Sequence, residues 1–125
     1  MAIFVKMNIE ELRIYCLSLK GVTESLPFGP ETLVFKVVNK VFLPTGLDNK
    51  PLQFNVKCDP EKALELREQH PCVKPGYHMN KKHWNTVIVD GSVPTNIIQQ
   101  WINDSYNLVA NGLTKKEKQE LLELE

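Results

Sequence analysis

His70, His78 and His83, together with the adjacent Lys81 and Lys82, all fall between Gln69 and Val89, a stretch without a carboxylate. Imidazoles can hold a metal, but His78 and His83 stand five apart and would need a third ligand. Cys72 is the only thiol nearby, and the spacing fits no common zinc pattern. No metal and no cofactor are expected. An imidazole can also activate a nucleophile such as Cys72 or a serine, which requires an orienting acid beside the base. The stretch supplies none, so the chain is not expected to be an enzyme.

A plain structural reading covers part of the run Pro75-Gly76-Tyr77-His78-Met79-Asn80-Lys81-Lys82-His83-Trp84. Tyr77 and Trp84 are expected to bury their rings, with Trp84 largely buried at the start of a strand and Tyr77 packed near it. Pro75-Gly76 sets a turn, and Asn80 caps a second turn that carries the lysine pair. Such a turn does not require two lysines flanked by histidines. Cationic donors beside aromatic rings are what phosphate contacts and stacked bases use. The candidate site is therefore Lys81, Lys82 and His83 as phosphate contacts, helped by His78, Lys74, Lys36 and Lys40. The expected partner is DNA, bound weakly and without regard to base sequence. The alternative is a protein-partner or chaperone-like module that uses an open sheet face or an acidic helix.

The elements that must position these residues are legible in outline. Asn8 and Glu11 form a capping box, Ile9, Leu12, Cys16 and Leu19 keep helical spacing, and Gly21 stops a helix over about Ile9 to Lys20. Leu33, Phe35 and Val37 alternate with Val34, Lys36 and Val38, the two-residue period of a strand. A turn at Asn39-Lys40, with positive φ assigned to Asn39, returns the chain through Val41-Phe42-Leu43. A third strand alternates through Leu52, Phe54 and Val56. Asp59-Pro60-Glu61 opens a helix whose Ala63 and Leu64 face the core. Trp84 to Val89 reads as a strand. Pro94 opens a helix with Ile97, Ile98, Trp101, Ile102, Tyr106, Leu108 and Val109 on its buried stripe, and Thr114 with Glu117 caps a last one. The order αβββα-ββ-αα makes the fold class α+β: a two-layer sandwich with a predominantly antiparallel sheet and helices on one side. Residues 1–7 read as an extension and 8–125 as a single domain.

Size and composition agree. The chain has 125 residues, 42% hydrophobic and 24% charged, and no apolar run long enough to cross a bilayer. Fifteen bases balance fifteen acids, which excludes a whole-molecule positive field for gripping nucleic acid but not a local patch. The balance is uneven along the chain. Residues 32–58 and 69–89 each carry +3, while 59–68 carry −2 and 90–125 carry −3. Strand-forming segments are basic and helical ones acidic. Cys16, Cys58 and Cys72 are odd in number, form no CxxC pair, and read as small buried hydrophobes in a reducing cytoplasm.

Here the chain resembles the MmcQ/YjbR family, whose hallmark is the run Pro75 to Trp84 followed by Thr86-Val87. Pro27-Phe28-Gly29, Val34-Phe35-Lys36-Val37, Lys57-Cys58-Asp59-Pro60-Glu61, Asp90-Gly91 and Ser105-Tyr106 agree with it in order. Asn39 departs from the glycine usual there. The resemblance implies a two-layer fold similar to CyaY and to type III secretion chaperones, also likened to a double-wing DNA-binding motif. It implies a bacterial cytoplasmic protein that carries a DNA-binding label, and fold does not carry function. It implies no catalytic residues.

Overall fold

The computed structural model describes residues 4–124. Its elements in chain order are α1 (Ile9–Ser18), β1 (Val22–Ser25), β2 (Thr32–Val37), β3 (Lys40–Gly46), β4 (Gln53–Lys57), α2 (Pro60–Gln69), β5 (Val73–Pro75), β6 (Trp84–Ile88), α3 (Thr95–Asn111) and α4 (Lys115–Glu123). The strands form one six-stranded sheet in the order β1-β2-β3-β4-β6-β5, with every neighbouring pair antiparallel. The class is α+β, as the element order predicts.

Local chemistry sets the helix starts. The side chains of Asn8 and Thr114 accept from the backbone of Glu11 and Glu117, which reach back to complete both capping boxes. Asp59 caps α2 with Pro60 in its first turn. Gly21 takes φ +76 just beyond α1, which ends at Ser18 rather than Lys20.

A single core joins the two layers. Leu33, Phe35, Val37, Phe54, Val56 and Val87 from the sheet meet Leu12, Cys16, Ala63, Leu66, Trp101 and Ile102 from the helices. Leu64 points outward at 57% exposure, and Leu66 takes the core position assigned to it. Ile97 and Leu108 lie at the margin of the α3 stripe, each 38% exposed. Of the expected N-terminal extension, residues 1–3 lie outside the described residues. Met7 is buried in the core, and the Phe4 amide donates to the Gly91 carbonyl.

Strand β1 was not expected. Val22-Thr23-Glu24-Ser25 has one apolar residue and so no visible alternation. It holds its place at the sheet edge by pairing with β2 and through Glu24, whose carboxylate accepts from Arg13 of α1 at 2.6 and 2.9 Å. The turn between β2 and β3 also differs from expectation. Its positive φ (+55) falls on Val38, not Asn39, the pattern of a type II′ turn with φ > 0 at its first central residue.

The ladder between β3 and β4 shows one register pair, Thr45 with Phe54. Continuing that register would set the Phe42 carbonyl against the Lys57 amide. The hydroxyl of Ser105 on α3 stands between them instead: it accepts from the Lys57 amide at 2.8 Å and donates to the Phe42 carbonyl at 2.6 Å. Ser105 is fully buried. A helix side chain thus completes the strand pairing and fixes α3 on the sheet.

Candidate functional site: the open face of the sheet

Alternation divides each strand between two faces. Phe54 and Val56 of β4 face the helices, so Gln53, Asn55 and Lys57 face away. On β6, Asn85 and Val87 are buried, and Trp84 and Thr86 pair with Lys57 and Asn55. Lys74 pairs with Thr86, and Lys36 of β2 pairs with Val41. Among the described residues the helices pack against the other face.

The Pro75–Trp84 run is held to it at two points. Thr86 anchors the first: its hydroxyl accepts from the Tyr77 amide at 2.9 Å and donates to the Asn55 side-chain oxygen. The Asn55 amide group in turn donates to the Tyr77 carbonyl at 2.9 Å. Arg67 of α2 anchors the second. Its guanidinium donates to the Asn85 side-chain oxygen at 2.7 Å, to the Trp84 carbonyl at 3.2 Å and to the Lys81 carbonyl. Asn85, itself buried, donates to the Ala63 carbonyl at 3.3 Å. Asn80 caps the turn as expected, accepting from the Lys82 amide at 2.9 Å. Gly76 passes so close to Trp84 that a Cβ there would lie 2.7 Å from the Trp84 Cβ and 2.9 Å from its carbonyl oxygen. This explains the glycine by close approach.

One expectation is corrected. Tyr77 is 63% exposed, not packed inside, and its ring lies against His78 with centroids 4.0 Å apart. Trp84 begins β6 as expected and is mostly buried, although it falls on the open face. The tryptophan of the core is Trp101.

The structure sorts the seven candidate residues into separate places. Lys81 and Lys82 are exposed on the Asn80 turn, and His83 beside them is half-buried, its carbonyl accepting from the Cys58 amide at 2.7 Å. Lys57 and Lys36 reach the same end of the open face, with Lys74 nearer its middle. Sequence reasoning left Lys57 out; its place opposite Phe54 and Val56 in the alternation was the available signal. Lys40 sits at the β2–β3 turn next to α4. The Thr114 backbone amide holds the Glu117 carboxyl below the usual range, and the Lys40 charge and the Asn39 amide assist. Lys40 therefore lies beside a carboxylate. Among the described residues the only carboxylate ion pairs are those of Arg13, with Glu10 and Glu24.

His78 belongs elsewhere. With φ +59 it turns the chain over the opposite end of the open face and lines a groove of about 530 Å³. Phe28 and Tyr77 bound this groove, Gln53 and Asn55 belong to its β4 side, and Glu31 and Asp48 contribute carboxylates. Phe28 is 78% exposed. Among the described residues no lysine or arginine lines it. The loops that build it are far apart in sequence, so its lining was not legible there.

The thiols are recessed. All three cysteines are free and buried, and burial pushes Cys16 up to about 12 and Cys58 up to about 11. Among the described residues no three His, Cys, Asp or Glu side chains gather as a metal site, and no helix is long and apolar enough to cross a membrane.

Comparison with known proteins gives the relationship. A family model described as YjbR matches residues 17–108. The chain is 42% identical over 110 residues to YbdF of Escherichia coli O157:H7, covering 87% of this chain and 89% of that protein. It is 34% identical over 119 residues to YjbR of Escherichia coli K12, covering 94% of this chain and all of that one. The crystal structure of Deinococcus radiodurans DR2400, a DUF419 domain, superposes with a TM-score of 0.85 at 43% identity, over 93% of this chain and 88% of that one. A Pseudomonas syringae protein superposes with a TM-score of 0.70 at 27% identity, over 82% of this chain and 98% of that one. On the family match and on this identity over nearly the full length of these relatives, the chain belongs to the YjbR family.

Proposed function

We propose that the protein is a non-enzymatic binding domain that engages nucleic acid through the basic end of its open sheet face. One observation carries the reading: the backbone of the 80–84 turn is held by Arg67 and Asn80, while Lys81 and Lys82 are exposed and unpaired with any carboxylate among the described residues. Lys57 and Lys36 extend the same charge across β4 and β2. Ammonium groups on a fixed turn suit phosphate oxygens and read no base edge, so binding is weak and indifferent to sequence.

Fluorescence anisotropy with a labelled oligonucleotide at low salt tests it. With about three charges engaged, affinity falls roughly ten- to a hundredfold between 50 and 200 mM salt. The double variant Lys81→Glu, Lys82→Glu abolishes binding and leaves thermal stability nearly unchanged, as exposed substitutions do. No binding at about 100 μM protein, or binding indifferent to the two reversals, ends this reading.

A second reading, a protein-partner module, is favoured by the groove at the other end of the face. Among the described residues its lining holds two carboxylates and no lysine or arginine, which suits a polypeptide better than a phosphate backbone.

A further inference from the structure

We propose that the groove between Phe28 and Tyr77 is a docking site for an arginine-bearing segment of a partner polypeptide. This goes beyond the nucleic-acid reading and does not rest on it, because none of the lysines assigned to phosphate lines the groove.

Charge complementarity chooses the occupant. Among the described residues Glu31 and Asp48 line the groove, no Lys or Arg does, and both carboxylates are exposed and form no ion pair. A phosphate or an acidic peptide is repelled there, and a cation is attracted. The aromatic rims narrow the choice. Phe28 and Tyr77 present their rings largely to solvent, and a guanidinium stacks on an aromatic face while its planar fork pairs with a carboxylate. An ammonium offers only a point charge. Gln53 adds a half-buried carboxamide on the β4 side, which makes no side-chain hydrogen bond among the described residues and can accept an N–H.

Size and shape select a chain over a free small cation. About 530 Å³ is well above what one guanidinium fills and within the range of ordinary ligand clefts. The groove is open on the side of the exposed Phe28 and Tyr77 rings, so a peptide can cross it while one side chain enters. The wall carrying Tyr77 and His78 is fixed in advance by the Thr86–Asn55 anchor, and little ordering of the protein opposes binding.

The test uses the full chain, isotopically labelled, with three probes: a short glycine-flanked arginine peptide, the same peptide with citrulline in place of arginine, and ethylguanidinium as a free guanidinium. Amide chemical-shift mapping reads both the site and the affinity. The arginine peptide should shift the Tyr77, Asp48 and Gln53 amides at up to about 1 mM. The citrulline peptide, neutral but of the same shape, should bind at least tenfold more weakly, and ethylguanidinium more weakly than the arginine peptide. The double variant Glu31→Gln, Asp48→Asn should cost at least tenfold, and Tyr77→Ala should weaken the arginine peptide more than a matched lysine peptide. All three positions are exposed, so these variants fold. Equal binding of the citrulline peptide, shifts mapping away from the groove, or affinity unchanged in the double variant would each overturn the proposal. Ethylguanidinium binding as tightly as the peptide would overturn it too, by making the occupant a free small cation. None of these results bears on the Lys81 and Lys82 test.

Discussion

Arg67 shows how one side chain gives a loop its shape. Its guanidinium reaches a side-chain oxygen and two carbonyls, on Asn85, Trp84 and Lys81, and so ties the turn carrying the lysine pair to α2. Lysine at this position is not conservative, because one ammonium cannot reproduce a planar fork that meets three acceptors. Arg67→Lys should therefore cost about 1–3 kcal/mol, the range for losing hydrogen bonds to a charged group and leaving part-buried acceptors unmatched. Amide exchange at His83 and Trp84, both bonded to the Asn80 carbonyl, should accelerate beyond any change shared with α3. Exchange that rises equally everywhere would show that Arg67 supports the whole fold rather than the turn.

At the scale of elements, the ladder between β3 and β4 shows a single register pair, and Ser105 extends the seam. Ser105→Ala leaves the Phe42 carbonyl and the Lys57 amide facing each other without the bridging hydroxyl. The variant should lose about 1–3 kcal/mol, the cost of buried groups left unsatisfied. In urea its midpoint should fall with the slope unchanged, since the surface exposed on unfolding stays the same. An unchanged midpoint would mean the strands close up and pair directly. This seam also marks how far a sequence can be read. Capping boxes at Asn8 and Thr114 and the Asp59-Pro60 start involve residues a few positions apart, and all three were legible. Ser105 acts across 63 residues to Phe42 and 48 to Lys57, and nothing local distinguishes it from any helix serine. β1 was missed because an edge strand of one apolar residue carries no period. Tyr77 was misplaced because its ring is large and apolar, whereas its position is set by its backbone, whose amide donates to the Thr86 hydroxyl and whose carbonyl accepts from the Asn55 side chain.

For the molecule as a whole, a net charge of zero conceals a division that the sheet makes spatial. Along β4 the open face runs from Gln53 in the groove to Lys57 at the basic end, about 13 Å at 3.3 Å per residue. One end offers carboxylates and aromatic rings, the other unpaired ammonium groups. A separation of this size exceeds the screening length of about 8 Å at physiological salt, so each end acts on its own ligand. Oligonucleotide and arginine peptide should therefore bind together. The anisotropy of a labelled oligonucleotide on the protein should be unchanged, or slightly raised by the added mass, when the peptide is brought to saturation. Lys81→Glu with Lys82→Glu should remove the oligonucleotide and leave the peptide shifts at Tyr77 intact, while Glu31→Gln with Asp48→Asn should do the reverse. If the peptide instead displaces the oligonucleotide from the protein itself, and not merely by pairing with it in solution, the two ends form one site. A scrambled arginine peptide titrated against free oligonucleotide at the same salt separates those two causes.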